Sequence, residues 1–118
     1  GETMAVAQDA GALDAMIAAP NHHRILLEND RVRVLDTRLE PGKRTPVHTH
    51  GAPAALYVMS WSDFVRRDAD GNIVMDSRTM ARRPAPGEAL WLPPLVPHSV
   101  ENIGQCDLRI IAVELKAG

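Results

Sequence analysis

The distribution of proline and glycine is the feature that most restricts the fold of this chain. Eight of its nine prolines lie between residues 41 and 97, where they separate short runs rich in aliphatic and β-branched residues. Proline breaks helices and is excluded from central strand positions, so this region predicts short strands joined by turns. The pairs Pro41-Gly42 and Pro86-Gly87 and the triplet Asp70-Gly71-Asn72 are typical of tight turns. The predicted strands cover residues 31–39, 55–65, 73–80, 90–92 and 108–115.

This pattern indicates an all-β antiparallel barrel or sandwich over residues 25–118, preceded by an extension at residues 1–24. Residues 5–19 are rich in alanine and carry Val6, Leu13, Met16 and Ile17 at helical spacing, which predicts a short amphipathic helix ending before Pro20. The next histidines, His22 and His23, are adjacent. On an extended segment they would point to opposite faces and could not chelate one ion together, so we interpret them as part of a solvated linker.

Length and charge exclude several classes of function. The chain has 118 residues, enough for one domain with one core, and a formal net charge of -2, so it has no basic excess for binding nucleic acid. Its single cysteine, Cys106, excludes an internal disulfide and is interpreted as a small apolar residue beside a turn, with a reactive thiol as the alternative. With no apolar run of membrane-spanning length and no basic N-terminal region, we expect a cytoplasmic protein that does not bind membranes.

Two histidines follow the first Pro-Gly pair at positions i and i+2. On a strand this spacing places His48 and His50 on one face, with Thr49 on the other. Two imidazoles on one face can share a first-row divalent ion. By itself the pair is a weak signal, since two histidines in a polar segment arise easily by chance.

A second histidine segment follows the second Pro-Gly pair, and together the two segments resemble the paired motifs of the cupin superfamily. The first family motif runs glycine, five residues, His-x-His, three or four residues, glutamate, six residues, glycine. The second runs glycine, five residues, proline, one residue, glycine, two residues, histidine, three residues, asparagine. The matching residues are Gly42, His48, His50, Gly87, Pro93, His98 and Asn102, whereas Ala54, Trp61 and Leu95 depart from the pattern.

The resemblance implies a single conical antiparallel β-barrel of cupin (jelly-roll) type with a divalent metal ion on His48, His50 and His98. It assigns Asn102 a structural role in a turn. Ala54 stands where the family has a glutamate ligand, so a three-histidine site would keep the full +2 charge of the ion and favour an anionic ligand. Some cupin dioxygenases are similar in having three histidines. The alternative is that the loss of the carboxylate left a non-catalytic binder.

Other residues complete the prediction. Ala54, Leu56 and Val58 share the strand parity of His50 and are predicted to line an apolar substrate pocket. Tyr57 and Trp91 fall on the opposite face. Near the end of the last strand, Glu114 could point inward and replace the missing carboxylate, although exposure to solvent is the favoured reading. Arg82 and Arg83 could attract an anion, but a solvated pair is the default.

The sequence therefore predicts a metal-binding cupin that forms a homodimer and acts on a small anionic organic molecule, with a dioxygenase-like enzyme as the leading function. A non-catalytic binding or sensing cupin is the alternative. A metal-independent isomerase would need a histidine with a tyrosine or lysine partner, and no convincing set is found. Iron is the favoured ion, with zinc, nickel, manganese and copper also compatible, since nitrogen ligands bind all of them and cellular supply decides which is loaded.

Overall fold

The structure, a computed structural model, describes residues 22–117. This part of the chain is all-β, as predicted, and its only helix is a single 3-10 turn at Ser77–Thr79. No helix within residues 22–117 is long and apolar enough to span a membrane. The predicted N-terminal amphipathic helix lies outside the described residues. The nine strands are β1 (His23–Glu28), β2 (Val32–Leu39), β3 (His48–His50), β4 (Ala54–Ser60), β5 (Phe64–Asp68), β6 (Ile73–Asp76), β7 (Ala89–Leu92), β8 (Leu95–Asn102) and β9 (Leu108–Leu115).

The strands form two separate hydrogen-bonded sheets instead of the one continuous conical barrel that the sequence predicted. One sheet has five strands in the order β1-β2-β9-β4-β7, and the other has four in the order β3-β8-β5-β6. All pairings are antiparallel. The inner faces of the two sheets enclose a cavity, so histidines from β1 and from the β3–β8 pair can meet there.

Several strand predictions differ from the structure. The predicted strand at residues 73–80 ends at Asp76 and is followed by the 3-10 turn, and β1 was not predicted. The run at residues 55–65 is two strands, because β4 belongs to the larger sheet and β5 to the smaller, and the segment 61–63 carries the chain between them. Strand β8 was not predicted, since three prolines lie at or near its start. Its Pro97 falls where the register between β3 and β8 shifts, between the pairs His48↔His98 and His50↔Leu95. A bulge at this point accommodates a residue that has no backbone N–H to donate.

The Pro-Gly pairs make turns as predicted. Gly42 and Gly87 have φ angles of 78° and 91°, a backbone conformation that glycine adopts without steric cost. The first turn is held to the end of β8, where the Gly42 N–H donates to the Asn102 carbonyl at 3.0 Å. It therefore brings the chain into the short strand β3, which carries two of the predicted metal ligands.

Candidate metal centre

The cavity between the two sheets has a volume of about 380 Å³ and a mainly apolar lining. Its walls include Leu90 and Leu92 from the larger sheet and Met75 and Val100 from the smaller one. All five histidines of the chain also line it: His22, His23, His48, His50 and His98. An apolar pocket with a few clustered polar groups is the usual form of a small-molecule site.

His48 and His98 lie directly opposite each other on neighbouring strands. They form a cross-strand pair of β3 and β8, and their ring centroids are 4.5 Å apart. Both side chains are buried. The two segments that carried the family motifs therefore meet at this pair.

His50 joins the pair from the same face of β3. Its ring centroid lies 5.0 Å from that of His48 and 5.6 Å from that of His98. The i, i+2 spacing thus places both β3 imidazoles toward the cavity, and the three predicted ligands form one cluster.

A fourth imidazole, that of His23, completes the cluster, although the sequence placed this residue in a solvated linker. His23 is the first residue of β1, is only 6% exposed, and pairs with Thr37 on β2. Its ring centroid lies 5.1 Å from His48 and 5.4 Å from His50. Ring nitrogens of His23, His48 and His50 all lie within 4.8 Å of one another, which suits ligation of a single ion.

Backbone carbonyls fix the ring orientation of two histidines. Nδ1 of His48 lies 2.8 Å from the Pro46 carbonyl oxygen, and Nδ1 of His98 lies 2.7 Å from that of Val96. A carbonyl oxygen only accepts hydrogen bonds, so each Nδ1 carries the proton and each Nε2 keeps its lone pair. Burial, reinforced by the neighbouring charges of His48, His50 and Arg66, lowers the pKa of His98 to about 3. His98 is therefore neutral at physiological pH, the form that binds metals.

Glu114 points inward, contrary to the favoured sequence reading. It is 3% exposed, and its carboxylate accepts hydrogen bonds from Arg33 Nε at 2.8 Å and from His50 Nδ1 at 3.3 Å. Burial alone would raise the pKa of this carboxyl, but the bonds from His50 and Arg33 hold it below its usual value. A carboxylate that accepts from Nδ1 leaves the Nε2 lone pair of His50 for a metal ion.

Glu114 lies directly opposite the position at which the first motif has a glutamate. Ala54 on β4, where the family pattern has glutamate, pairs directly with Glu114 on β9. Directly opposed residues on neighbouring strands share one face of the sheet. A carboxylate thus lies on the adjacent strand at the same level of the cavity.

These residues fit a divalent ion. Four imidazoles converge, of which three are buried and that of His50 is half-buried, and the ring nitrogens that lie within 4.8 Å of one another are those of His23, His48 and His50. Imidazole donors suit zinc, copper, iron and nickel better than magnesium or calcium, which prefer oxygen ligands. The single nearby carboxylate, that of Glu114, is held by an arginine and by His50.

The remaining predicted residues are distributed between the cavity and the surface. Ala54 and Leu56 line the cavity, whereas Val58 is fully buried and is not part of the lining within residues 22–117. Tyr57 is 47% exposed and does not line the cavity, whereas Trp91, although 60% exposed, also lines it, contrary to its predicted place on the opposite face. The candidate anion attractors Arg82 and Arg83 are ion-paired with Glu88 and Asp63, and Cys106 is exposed.

The chain matches no protein-family model and no curated protein. Among solved structures, a cupin domain from Bordetella pertussis Tohama I shares 22% identity and a TM-score of 0.64 over 80% of this chain and 92% of that one. An RmlC-like cupin family protein from Methanocaldococcus jannaschii gives 16% and 0.56 over 79% of this chain and 77% of that one. The polyketide cyclase RemF from Streptomyces resistomycificus gives 23% and 0.51 over 79% and 63%. At these low sequence identities, the structural similarity to these proteins establishes the fold of the chain.

Proposed function

We propose that this chain, which has the double-stranded β-helix fold of the cupins, binds a divalent metal ion and uses it as a dioxygenase-like enzyme on a small anionic organic substrate. The observation that carries the proposal is the cluster of His23, His48, His50 and His98 on the lining of an apolar cavity. Imidazole nitrogens are donors that first-row divalent ions prefer, and a single ion could bind several of these histidines at once.

The protein's own groups prepare the site by orienting three imidazoles and by lining the cavity with apolar side chains. Carbonyls of Pro46 and Val96 orient the imidazoles of His48 and His98, and Glu114 orients that of His50. The apolar walls limit the access of water, which strengthens electrostatic interactions inside the cavity. When bound, a divalent ion would supply a Lewis acid that accepts an anionic substrate and, in the case of iron, supports chemistry with dioxygen.

Metal titration with histidine variants tests the binding half of the proposal. We expect purified protein to bind one Zn²⁺ or Fe²⁺ per chain, and His23→Leu to weaken binding by at least about tenfold, because a ligand is removed. Leu26→Ala is the control on the same strand, since Leu26 is exposed and does not line the cavity. Equal affinity of wild type and His23→Leu would exclude His23 as a ligand, and absence of binding in the wild type would refute the proposal.

Oxygen consumption tests the catalytic half. The iron-loaded protein is incubated anaerobically and aerobically with small organic acids, β-diketones and thiols while an electrode records dissolved oxygen. Consumption that depends on substrate, on iron and on His48 supports a dioxygenase. Stoichiometric metal binding without consumption for any of these compounds supports the alternative, a non-catalytic binding or sensing cupin.

A further inference from the structure

Two residues that line the cavity each carry a buried hydrogen-bond donor without an acceptor. The donors are Nε of Arg66 on β5 and Nε1 of Trp61, which lies in the segment between β4 and β5. Neither atom is accessible to solvent, and neither finds a partner anywhere in residues 22–117. Buried donors are nearly always satisfied in folded proteins, so a pair of unsatisfied donors on residues of one cavity requires an explanation.

The strand pattern directs Arg66 toward the histidine cluster. Arg66 pairs with Val100 on β8, two residues from His98, and both Arg66 and Val100 line the cavity. The next residue, Arg67, is not on the lining and instead donates to Glu101 at 2.7 Å. Two adjacent arginines therefore have different environments, one inside the cavity and one in an ion pair outside it.

No carboxylate in the described part of the chain neutralises Arg66. Glu114, the only acidic residue on the lining, is bound by Arg33 and His50. Asp68, two residues along β5, accepts from the backbone N–H groups of Asp70 and Asn72 at 2.9 Å each. Burial lowers the pKa of Arg66, yet an arginine side chain keeps its charge throughout the physiological range. The cavity thus contains an uncompensated positive charge.

We propose that Arg66 binds the carboxylate of an organic acid, while the apolar body of that acid fills the cavity. The proposal deepens the proposed function by naming the substrate class and the group that anchors it. A planar guanidinium matches the geometry of a carboxylate, and a charge-assisted bond to its terminal nitrogens would compensate the charge of Arg66. The lining by Phe64, Met75 and Leu108 suits a hydrocarbon or aromatic body.

A matched pair of probes tests this inference. 4-Phenylbutyrate and its uncharged amide, 4-phenylbutanamide, differ only in the group that Arg66 would bind. By calorimetry we expect the full chain to bind the acid at least about tenfold more tightly than the amide, as expected for a hydrogen bond to a charged group. Equal binding of both probes, or no binding of either at about 10 mM, would overturn the proposal.

Variants of the two adjacent arginines show which of them is responsible for the preference for the acid over the amide. Arg66→Met keeps a long apolar side chain, and it should reduce the preference for the acid over the amide to within about twofold. Arg67→Met, the control on the same strand, should retain the full preference. If Arg66→Met fails to fold, Arg66→Lys replaces it, because a lysine keeps the charge but lacks the planar donors and should lower the preference severalfold. A full preference in whichever Arg66 variant folds overturns the proposal.

Repeating the titrations after chelation separates this inference from the metal proposal. A preference that survives chelation and is lost in Arg66→Met supports Arg66 as the anchor even if no metal binds. A preference that disappears on chelation and persists in metal-loaded Arg66→Met shows that the carboxylate binds the metal. That result would overturn the role of Arg66 while supporting the proposed function.

Discussion

Glu114 is a buried carboxylate that lies opposite Ala54 on the neighbouring strand. The position on β4 that carries a glutamate in the cupin motif is Ala54 here, 3% exposed, and the residue opposite it on β9 is Glu114. Glu114 does not need to touch a metal ion to affect it. A carboxylate that accepts from the outer nitrogen of a ligating histidine fixes the ring and increases its basicity.

Removing Glu114 should weaken metal binding, and placing a carboxylate on β4 should recover part of the lost metal affinity. We expect Glu114→Ala to lower affinity for Zn²⁺ by about 10- to 100-fold, the usual cost of losing a group that orients a ligand. The double variant Ala54→Glu/Glu114→Ala should regain at least part of the loss. Ala54→Glu alone should destabilise the fold, because two carboxylates would then be directly opposed in a buried site.

Competition titration with a chromophoric chelator measures these affinities. Glu101→Ala is the control, because Glu101 is also ion-paired, with Arg67, but does not line the cavity. Unchanged zinc affinity in Glu114→Ala would show that Glu114 has only a structural role. No recovery in the double variant would show that β4 and β9 are not interchangeable sources of the carboxylate.

The residues that the sequence singled out belong to local patterns, whereas those that it missed depend on contacts between distant strands. The i, i+2 spacing placed His48 and His50 on one face of a strand, and the resemblance to the paired cupin motifs singled them out together with His98. His23 enters the cluster only because β1 pairs with β2, and Glu114 faces inward only because β9 pairs with β4. No local pattern reports such pairings. Without knowledge of these strand pairings, a His-His doublet in a polar segment and a glutamate near a strand end are expected to be exposed to solvent.

At the scale of elements, the segment that crosses from one sheet to the other is held by a network of hydrogen bonds around Asn102. Its side chain is fully buried, donates to the carbonyls of Leu39 and Cys106, and accepts from Ser62 Oγ and Gly104 N–H. These bonds join the ends of β2 and β8 to the segment that carries the chain from β4 to β5. The turn-forming role expected for the motif asparagine agrees with this arrangement.

The same hydrogen-bond network leaves no room for a side chain at Gly104. A Cβ atom there would meet Ser62 Oγ and would lie 2.9 Å from the backbone nitrogen of Asp63. Backbone atoms cannot move aside cheaply, since the Asp63 carbonyl also accepts from Ile103 N–H at 2.9 Å. The constraint is steric and depends on a contact between distant segments, so the sequence alone does not reveal it.

Gly104→Ala should therefore destabilise the fold by about 1–3 kcal/mol, the usual cost of overpacking a tight site. Gly51→Ala is the matched control and should change the free energy of unfolding by less than about 0.5 kcal/mol, because a Cβ at Gly51 meets nothing within 4 Å. Urea denaturation followed by tryptophan fluorescence measures both values. Equal stability of the two variants would contradict the close approach of Gly104 to the crossing segment.

At the scale of the whole molecule, the larger sheet is joined by an ion cluster centred on Asp36 of β2. Both carboxylate oxygens of Asp36 accept from Arg109 of β9, at 3.1 and 2.8 Å, and Arg24 of β1 lies 3.6 Å away. Asp36 is 9% exposed, so the cluster is better shielded from water than the other ion pairs of this sheet's outer surface, such as Arg38–Asp107. Three neighbouring strands are thereby connected through one carboxylate.

This carboxylate should make global stability depend on pH in the acid range. Hydrogen bonds from Arg109 hold the pKa of Asp36 below its usual 3.8, against the opposing effect of partial burial. A group whose pKa is lower in the folded state stabilises the fold above its unfolded pKa, and this contribution is lost as the pH falls through the folded pKa. Asp36 therefore contributes fully above about pH 5 and progressively less below pH 3.8.

The substitution Asp36→Asn tests the contribution of this group. We expect the variant to be less stable than the wild type at pH 6, and the difference between them to shrink steadily as urea denaturation is repeated at pH 4, 3 and 2.5. Asp107→Asn removes the same formal charge from a carboxylate that is 41% exposed and lies 3.8 Å from Arg38, so its effect on stability should be smaller at every pH. A stability difference for Asp36→Asn that stays constant from pH 6 to 2.5 would mean that Asp36 contributes through packing and not through its charge.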